Sequence, residues 1–271
     1  MNKHWYKLYI SFRRIFYLVT AVIAGLSVTS CADSDDNNTP DPQEPVEVTT
    51  GVYKVVNLAA DTTATSSENA NTLYYSLENG KAVSSSMSQT DQWDIAFLQT
   101  YNSSIAANNG KGLYSPGYGG PGKGGIYLVI NQDVDAAYYT SAGKPIKEIP
   151  DSTLFQQAFS AIKTVPVSDD KFLISDYIGL DYFQGSGAGW AWYDFYNELF
   201  PDRPASEKAH VAYALPRPII VRTAKGNYAK VIIYSVYKDA PANPDRSNKA
   251  GYITFSYAIQ KDGSKNLDIS Q

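Results

Sequence analysis

The sequence holds one cysteine, two histidines and two methionines in 271 residues. A single cysteine, Cys31, can form no intrachain disulfide and offers no cysteine cluster for zinc. Catalytic zinc recruits several His or Cys ligands, and His4 and His210 are too few. A Ser–His–Asp triad would have to use His210 as its base, and no G-x-S-x-G elbow is present. Basic residues are scarce too: 23 Lys and Arg stand against 27 Asp and Glu. Phosphate contacts need a basic surface, so nucleic acid is not an expected partner. Paired carboxylates are not excluded, because such pairs meet only in space, but no motif points to them.

Long apolar runs are missing apart from one near the start. Met1 to Arg14 carries Lys3, Lys7, Arg13 and Arg14 without an acid. Ile15 to Val28 follows, "IFYLVTAVIAGLSV", broken by Thr20 and Ser27. It is shorter than the roughly 20 apolar residues of a membrane span. A basic start, a short apolar core and small residues before a cut site predict a secretory signal peptide over residues 1–30. "Val28-Thr29-Ser30-Cys31" resembles a bacterial lipobox, which makes Cys31 the lipidated first residue of the mature chain. Each buried methylene contributes about 0.8 kcal/mol, so two or three acyl chains hold a protein to a bilayer. The following "ADSDD" resembles the acidic tag that sends lipoproteins to the outer face of the outer membrane. Residues 31–49 lack the apolar surface to fold and read as a tether. Cleavage would remove the four basic residues named above, leaving 19 against 27 acids and a net charge of −8. One histidine, His210, and one methionine, Met87, would remain.

Residues 50–271 suit one domain, and their pattern predicts an all-β fold of mainly antiparallel sheets with one short helix near 151–163. The strand candidates are Val52–Leu58, Thr72–Leu77, Trp93–Leu98, Ile126–Ile130, Ile219–Thr223 and Tyr228–Tyr237. Residues 251–259, "GYITFSYAI", alternate strictly, with Ile253, Phe255, Tyr257 and Ile259 on one face. In the helix candidate, Leu154, Phe155, Ala158, Phe159 and Ile162 recur at helical spacing, and Asp151 or Ser152 can cap it.

Two stretches invite a functional reading. "GYGGPGKGG" at 117–125 fits G-x-G-x-x-G, but it runs into a strand, whereas phosphate-binding loops open a helix. It reads as a turn. "GSGAGWAWYDFYN" places Trp190, Trp192, Tyr193, Phe195 and Tyr196 within seven residues. That is more aromatic surface than one half-buried strand face hides. A core strand with aromatics on both faces, or a platform for flat apolar ligands or sugar rings, both fit.

Taken in order, "QWDIAF" (92–97), "GKGG" (122–125), "GAGW" (187–190), "RPIIVRTAKGNYAKVIIYSVYKDAP" (217–241) and "GYITFSYAIQKDGS" (251–264) resemble the HmuY family of bacterial haem-binding lipoproteins. The resemblance covers roughly Trp93 to Ser264. It implies a mostly antiparallel β-fold, no catalysis, haem capture at the cell surface, and delivery to a TonB-dependent outer-membrane receptor. Members hold the iron through two axial side chains, histidines or, in some relatives, methionines. Here the sequence departs: the position after the "GGW"-type motif falls near Phe195 or Tyr196, and neither is histidine. His210 is then the candidate iron ligand, with Trp190, Trp192, Tyr193, Phe195 and Tyr196 as the porphyrin-binding aromatics and Phe172–Gly189 as a bordering loop. Tyrosinate also ligates haem iron, which adds Tyr177, Tyr182, Tyr193 and Tyr196 to the candidates. The alternative is a surface module that binds glycan or protein through the same aromatics.

Overall fold

A computed structural model describes residues 48–64, 70–185 and 187–269. The signal peptide, Cys31 and nearly all of the tether fall on residues 1–47, outside the described residues. The folded body reaches back to Val48, which is buried in the main core. Its carbonyl accepts a 2.7 Å hydrogen bond from Lys261 Nζ.

The long alternating segments near the C-terminus build the first sheet. Its spatial order is β1 (Gly51–Ala59), β13 (Ala250–Gln260), β12 (Tyr228–Tyr237), β11 (Ile219–Arg222) and β6 (Gly125–Leu128). All four pairings are antiparallel. Ile253, Phe255, Tyr257 and Ile259 face the main core, together with Ala229, Val231 and Ile233 of β12. Strand periodicity of two dictates that result. The opposite face is covered as well. There Ile232 and Ala258 pack against Phe155 and Phe159, so β13 is buried on more than one face.

The helix responsible is α2 (Ser152–Ala161), capped by the Asp151 carboxylate, which accepts from Thr153 N. Each phenylalanine side chain it buries contributes about 1.5–3 kcal/mol. At its other end Lys230 Nζ donates to the carbonyls of Phe159 (3.0 Å) and Ile162 (2.7 Å). These are the last-turn carbonyls that a helix leaves unpaired. Two four-residue helices, α1 (Gln132–Asp135) and α3 (Ala205–Lys208), accompany it. They are too short to show periodicity in sequence.

The second sheet runs β3 (Lys81–Val83), β2 (Leu73–Ser76), β4 (Ile95–Leu98), β5 (Ser104–Ala107) and β7 (Tyr177–Ile178). It packs on the first through Tyr75, Ile95, Phe97 and Ile105. Phe97 and Tyr75 meet Phe255 with ring centroids 5.8 and 5.4 Å apart. The glycine-rich run is a loop that feeds β6. Gly117 and Gly122 close on Asn108, where an added Cβ would lie 2.2 and 2.3 Å from its Oδ1. That packing accounts for the glycines without a phosphate.

A third, smaller sheet positions the candidate site. β9 (Ala191–Asp194) pairs antiparallel with β10 (Val211–Ala214) and parallel with β8 (Leu180–Tyr182). Parallel neighbours ordinarily need a crossover of about a dozen residues or more. Only eight separate β8 from β9. The tight return needs glycine: a Cβ on Gly189 would sit 2.5 Å from Asp181 N. Arg217 clamps the return by donating to Gly189 O at 2.8 Å while its other arm pairs with Asp135 Oδ2 at 2.6 Å.

Candidate functional site

β9 sorts the aromatic segment by strand alternation. Trp190 and Trp192 point into the core, and Trp192 is 0% exposed. Their indole N–H groups are satisfied, donating to Ser103 O (2.7 Å) and Tyr139 Oη (2.7 Å). Buried indoles require such partners. Tyr193 and Phe195 take the other face and line a cleft of about 400 Å³. Tyr196 is 74% exposed and lies outside that lining. The sorting signal was available in the sequence, since period two through 190–195 separates Trp190 and Trp192 from Tyr193 and Phe195.

His210 faces Tyr193 and Phe195 across the cleft wall. It precedes β10, so the β9–β10 register brings it beside Phe195. The two rings pack edge-on with centroids 4.3 Å apart. His210 N donates to Asp194 O at 2.7 Å, and Tyr101 Oη donates to His210 O at 3.3 Å. Imidazole Nδ1 lies 3.1 Å from Tyr193 Oη. Among the described residues no hydrogen bond engages Nε2. Lys208, two residues earlier, is buried and bonded to Asn243 Oδ1 (2.6 Å) and Pro244 O (2.7 Å). The segment before His210 is therefore an anchored turn.

Tyr177, Leu180, Asp181 and Tyr182 also line the cleft; Tyr182 is the in-register neighbour of Tyr193 and is 62% exposed. Three of the four tyrosine candidates thus meet His210 in one cleft. The polar floor comes from Gln99, Thr100, Ser103 and Ser104. Ser103 Oγ is buried and has no hydrogen-bond partner among the described residues. Backbone strain gathers here. Gln99 (φ 60, ψ −150) occupies a region that is nearly glycine's alone, and Tyr101, Asn102 and His210 are left-handed at φ 55, 55 and 61. Such residues cost about 1–3 kcal/mol each and cluster at ligand sites. Sequence reading offered no signal for Gln99 to Ser104.

Asp181 is the one charged residue in the lining. It accepts hydrogen bonds from the N–H groups of Gly187 and Ala188. Burial, ahead of the neighbouring Tyr101 hydroxyl, pushes the Tyr193 phenol above its ordinary value, so it stays protonated at neutral pH. Tyr193 is then a hydrogen-bonding group rather than a tyrosinate. Met87 lies in a 3-10 turn (Ser85–Met87) and is not part of the cleft. A second cavity of about 430 Å³ backs onto Trp190, Phe155 and Tyr213. It is the larger of the two but contains neither His210 nor the tyrosines of the cleft.

Two five-stranded sheets and a three-stranded sheet that contributes to a histidine–tyrosine cleft make up a mostly antiparallel β-protein. The HmuY family description, "HmuY protein", matches residues 68–257. The chain belongs to the HmuY family. Solved structures that the chain matches include an HmuY-like heme binding protein from Bacteroides vulgatus. It is 12% identical, covers 77% of this chain and 92% of its own, and has a TM-score of 0.34. An apo HmuY analog from Tannerella forsythia is 14% identical, with 78% and 97% coverage and a TM-score of 0.34. No curated protein matches the chain.

Proposed function

We propose that this protein captures haem at the bacterial cell surface, with the cleft as its porphyrin slot and His210 Nε2 as one axial ligand. The observation that carries this reading is the meeting of His210, the one histidine among the described residues, with Tyr177, Tyr182, Tyr193 and Phe195 in a single cleft. Membership of the HmuY family supports it. Phenolate ligates ferric haem, and Tyr177 and Tyr182, which line the same cleft, are the candidates for a second axial donor. Among the described residues the lining holds one carboxylate, Asp181, whereas the two-carboxylate glycosidase mechanism uses a pair. Lipidation at Cys31 would keep the protein on the outer membrane, and captured haem would pass to a TonB-dependent receptor.

Hemin titration, read by absorbance in both oxidation states, tests the proposal. A saturable Soret shift at one equivalent is expected. His210→Ala should alter the spectrum and weaken binding at least tenfold, and Tyr182→Phe or Tyr177→Phe should alter the ferric spectrum. Met87→Ala should change neither. An unchanged spectrum in His210→Ala would remove His210 as a ligand. If no saturable shift occurs, the exposed rings of Tyr182 and Tyr196 favour the glycan- or protein-binding reading. Mass spectrometry of the membrane fraction checks acylation at Cys31.

A further inference from the structure

We propose that the open outer edge of β10, with the cavity beside it, is a second binding site that takes a short extended peptide segment of a partner protein by strand addition. The site shares no lining residue with the His210 cleft, so it stands apart from the haem reading.

β10 ends the small sheet and pairs with β9 on one side only. The ladder decides which of its backbone groups are used. Tyr193 O accepts from Phe183 N, just past β8, so it points away from β10. Ala212, which stands opposite Tyr193, therefore turns its own N–H and C=O away from β9. The Ala212 N–H bears this out by donating to Tyr237 Oη at 2.9 Å. Alternation turns Ala214 the same way. Among the described residues no hydrogen bond engages Ala214 N, Ala214 O or Ala212 O. One donor and two acceptors are left along the edge, and main-chain groups in that state call for partners.

Ala212, Tyr213 and Ala214 all line the cavity of about 430 Å³, a size that suits a ligand site. The rest of the lining explains why the edge stays open. Pro150, Pro241 and Pro244 have no N–H to offer, and Pro244 O already accepts from Lys208 Nζ at 2.7 Å. Phe155, Trp190 and Tyr234 give apolar side chains a surface to pack on. The Tyr213 hydroxyl is buried without a partner. Burial raises its phenol above the ordinary value, so it remains a donor in want of an acceptor. Asp151 is the one charged residue in the lining, which favours a neutral or basic occupant over an acidic one. An extended peptide meets all of these demands together: its backbone pairs with the edge and its side chains fill the apolar space.

Amide NMR on the full chain tests this with the capped peptide acetyl-Lys-Val-Ala-Val-amide. Two control peptides run beside it: a copy methylated on every backbone nitrogen, and a copy with aspartate in place of lysine. Ala214→Pro removes the Ala214 amide signal and so assigns it. An edge strand tolerates proline where the N–H faces outward. Before peptide is added, the Ala214 amide should exchange with solvent quickly. The peptide should then shift the Ala214 signal saturably and slow its exchange. The methylated copy should do neither, the acidic copy should bind severalfold more weakly, and Ala214→Pro should weaken binding about tenfold or more. A protected Ala214 amide in the free protein overturns the proposal. So does the absence of a saturable shift up to about 10 mM peptide. Equal binding of the methylated copy to the native protein, where no folding defect intervenes, would mean apolar filling without strand pairing and would overturn it too.

Discussion

Asp94 accepts a 3.0 Å hydrogen bond from the backbone N–H of Ala224, a residue 130 positions away. The same buried carboxylate accepts from Glu78 N at 3.0 Å and Ser76 Oγ at 3.3 Å. It ties the "WDIAF" strand to the turn between β11 and β12. Asp94→Ala would leave two buried N–H groups unpaired, each costing about 1–3 kcal/mol. Urea denaturation should show a loss of about 3 kcal/mol or more. A loss under about 1 kcal/mol would mean that water replaces the carboxylate.

Lys230 predicts a pH dependence of opposite sense to an ordinary surface lysine. Burial lowers its amine to about 8, from an ordinary value of 10.5. Between those values the unfolded chain binds more protons than the folded one, so stability rises with pH through that window and is flat below it. Lys230→Met should flatten the rise between pH 8 and 9, where unfolded tyrosines, with an ordinary value of 10, are still largely protonated. A native stability that falls across that window would contradict the assignment.

Gly189 and Gly226 should respond differently to alanine. A Cβ at Gly189 meets Asp181 N at 2.5 Å and Gly179 O at 2.9 Å, which is backbone that cannot step aside. Gly189→Ala should push β8 away from β9, lowering both melting temperature and hemin affinity. Gly226 has φ 98 and nothing within 4 Å of the added atom. Gly226→Ala should cost about 1 kcal/mol from backbone strain alone and leave the cleft's affinity intact.

The core and the exposed aromatics of the 190–196 segment can be separated by their energetics. Trp192→Ala empties a fully buried site and should cost about 3–5 kcal/mol. Tyr196→Ala removes an exposed ring and should change stability by less than about 0.5 kcal/mol. Thermal melts of the two variants check the division. Equal losses would mean that Tyr196 also packs in the core.

Long periodic segments were legible in sequence, and irregular contacts were not. β12 and β13 span ten and eleven residues and show their alternation plainly, and α2 shows its helical spacing and its cap. β7 through β10 run two to four residues, too few for a period to stand out. The aromatic segment drew attention for its density, but only strand alternation divides it into core tryptophans and cleft aromatics. His210 was visible because histidine is rare here. Its partners Tyr101 and Tyr193 lie 109 and 17 positions away and meet it through folding alone. The Asp94–Ala224 bond joins two stretches far apart in the chain, a link that spacing in sequence does not contain.

Gly179 is the single residue between β7, which belongs to the second sheet, and β8, which belongs to the small sheet. The Tyr177–Tyr182 side of the cleft is therefore shared by two sheets, while His210 leads into β10 of the small sheet and is tied by Tyr101 to the β4–β5 connection of the second. A molecule wedged between them acts as a rivet through both. Whatever it gains by binding it returns as resistance of the whole sandwich to shear, and any substitution that lets the sheets slide will loosen its grip from a distance.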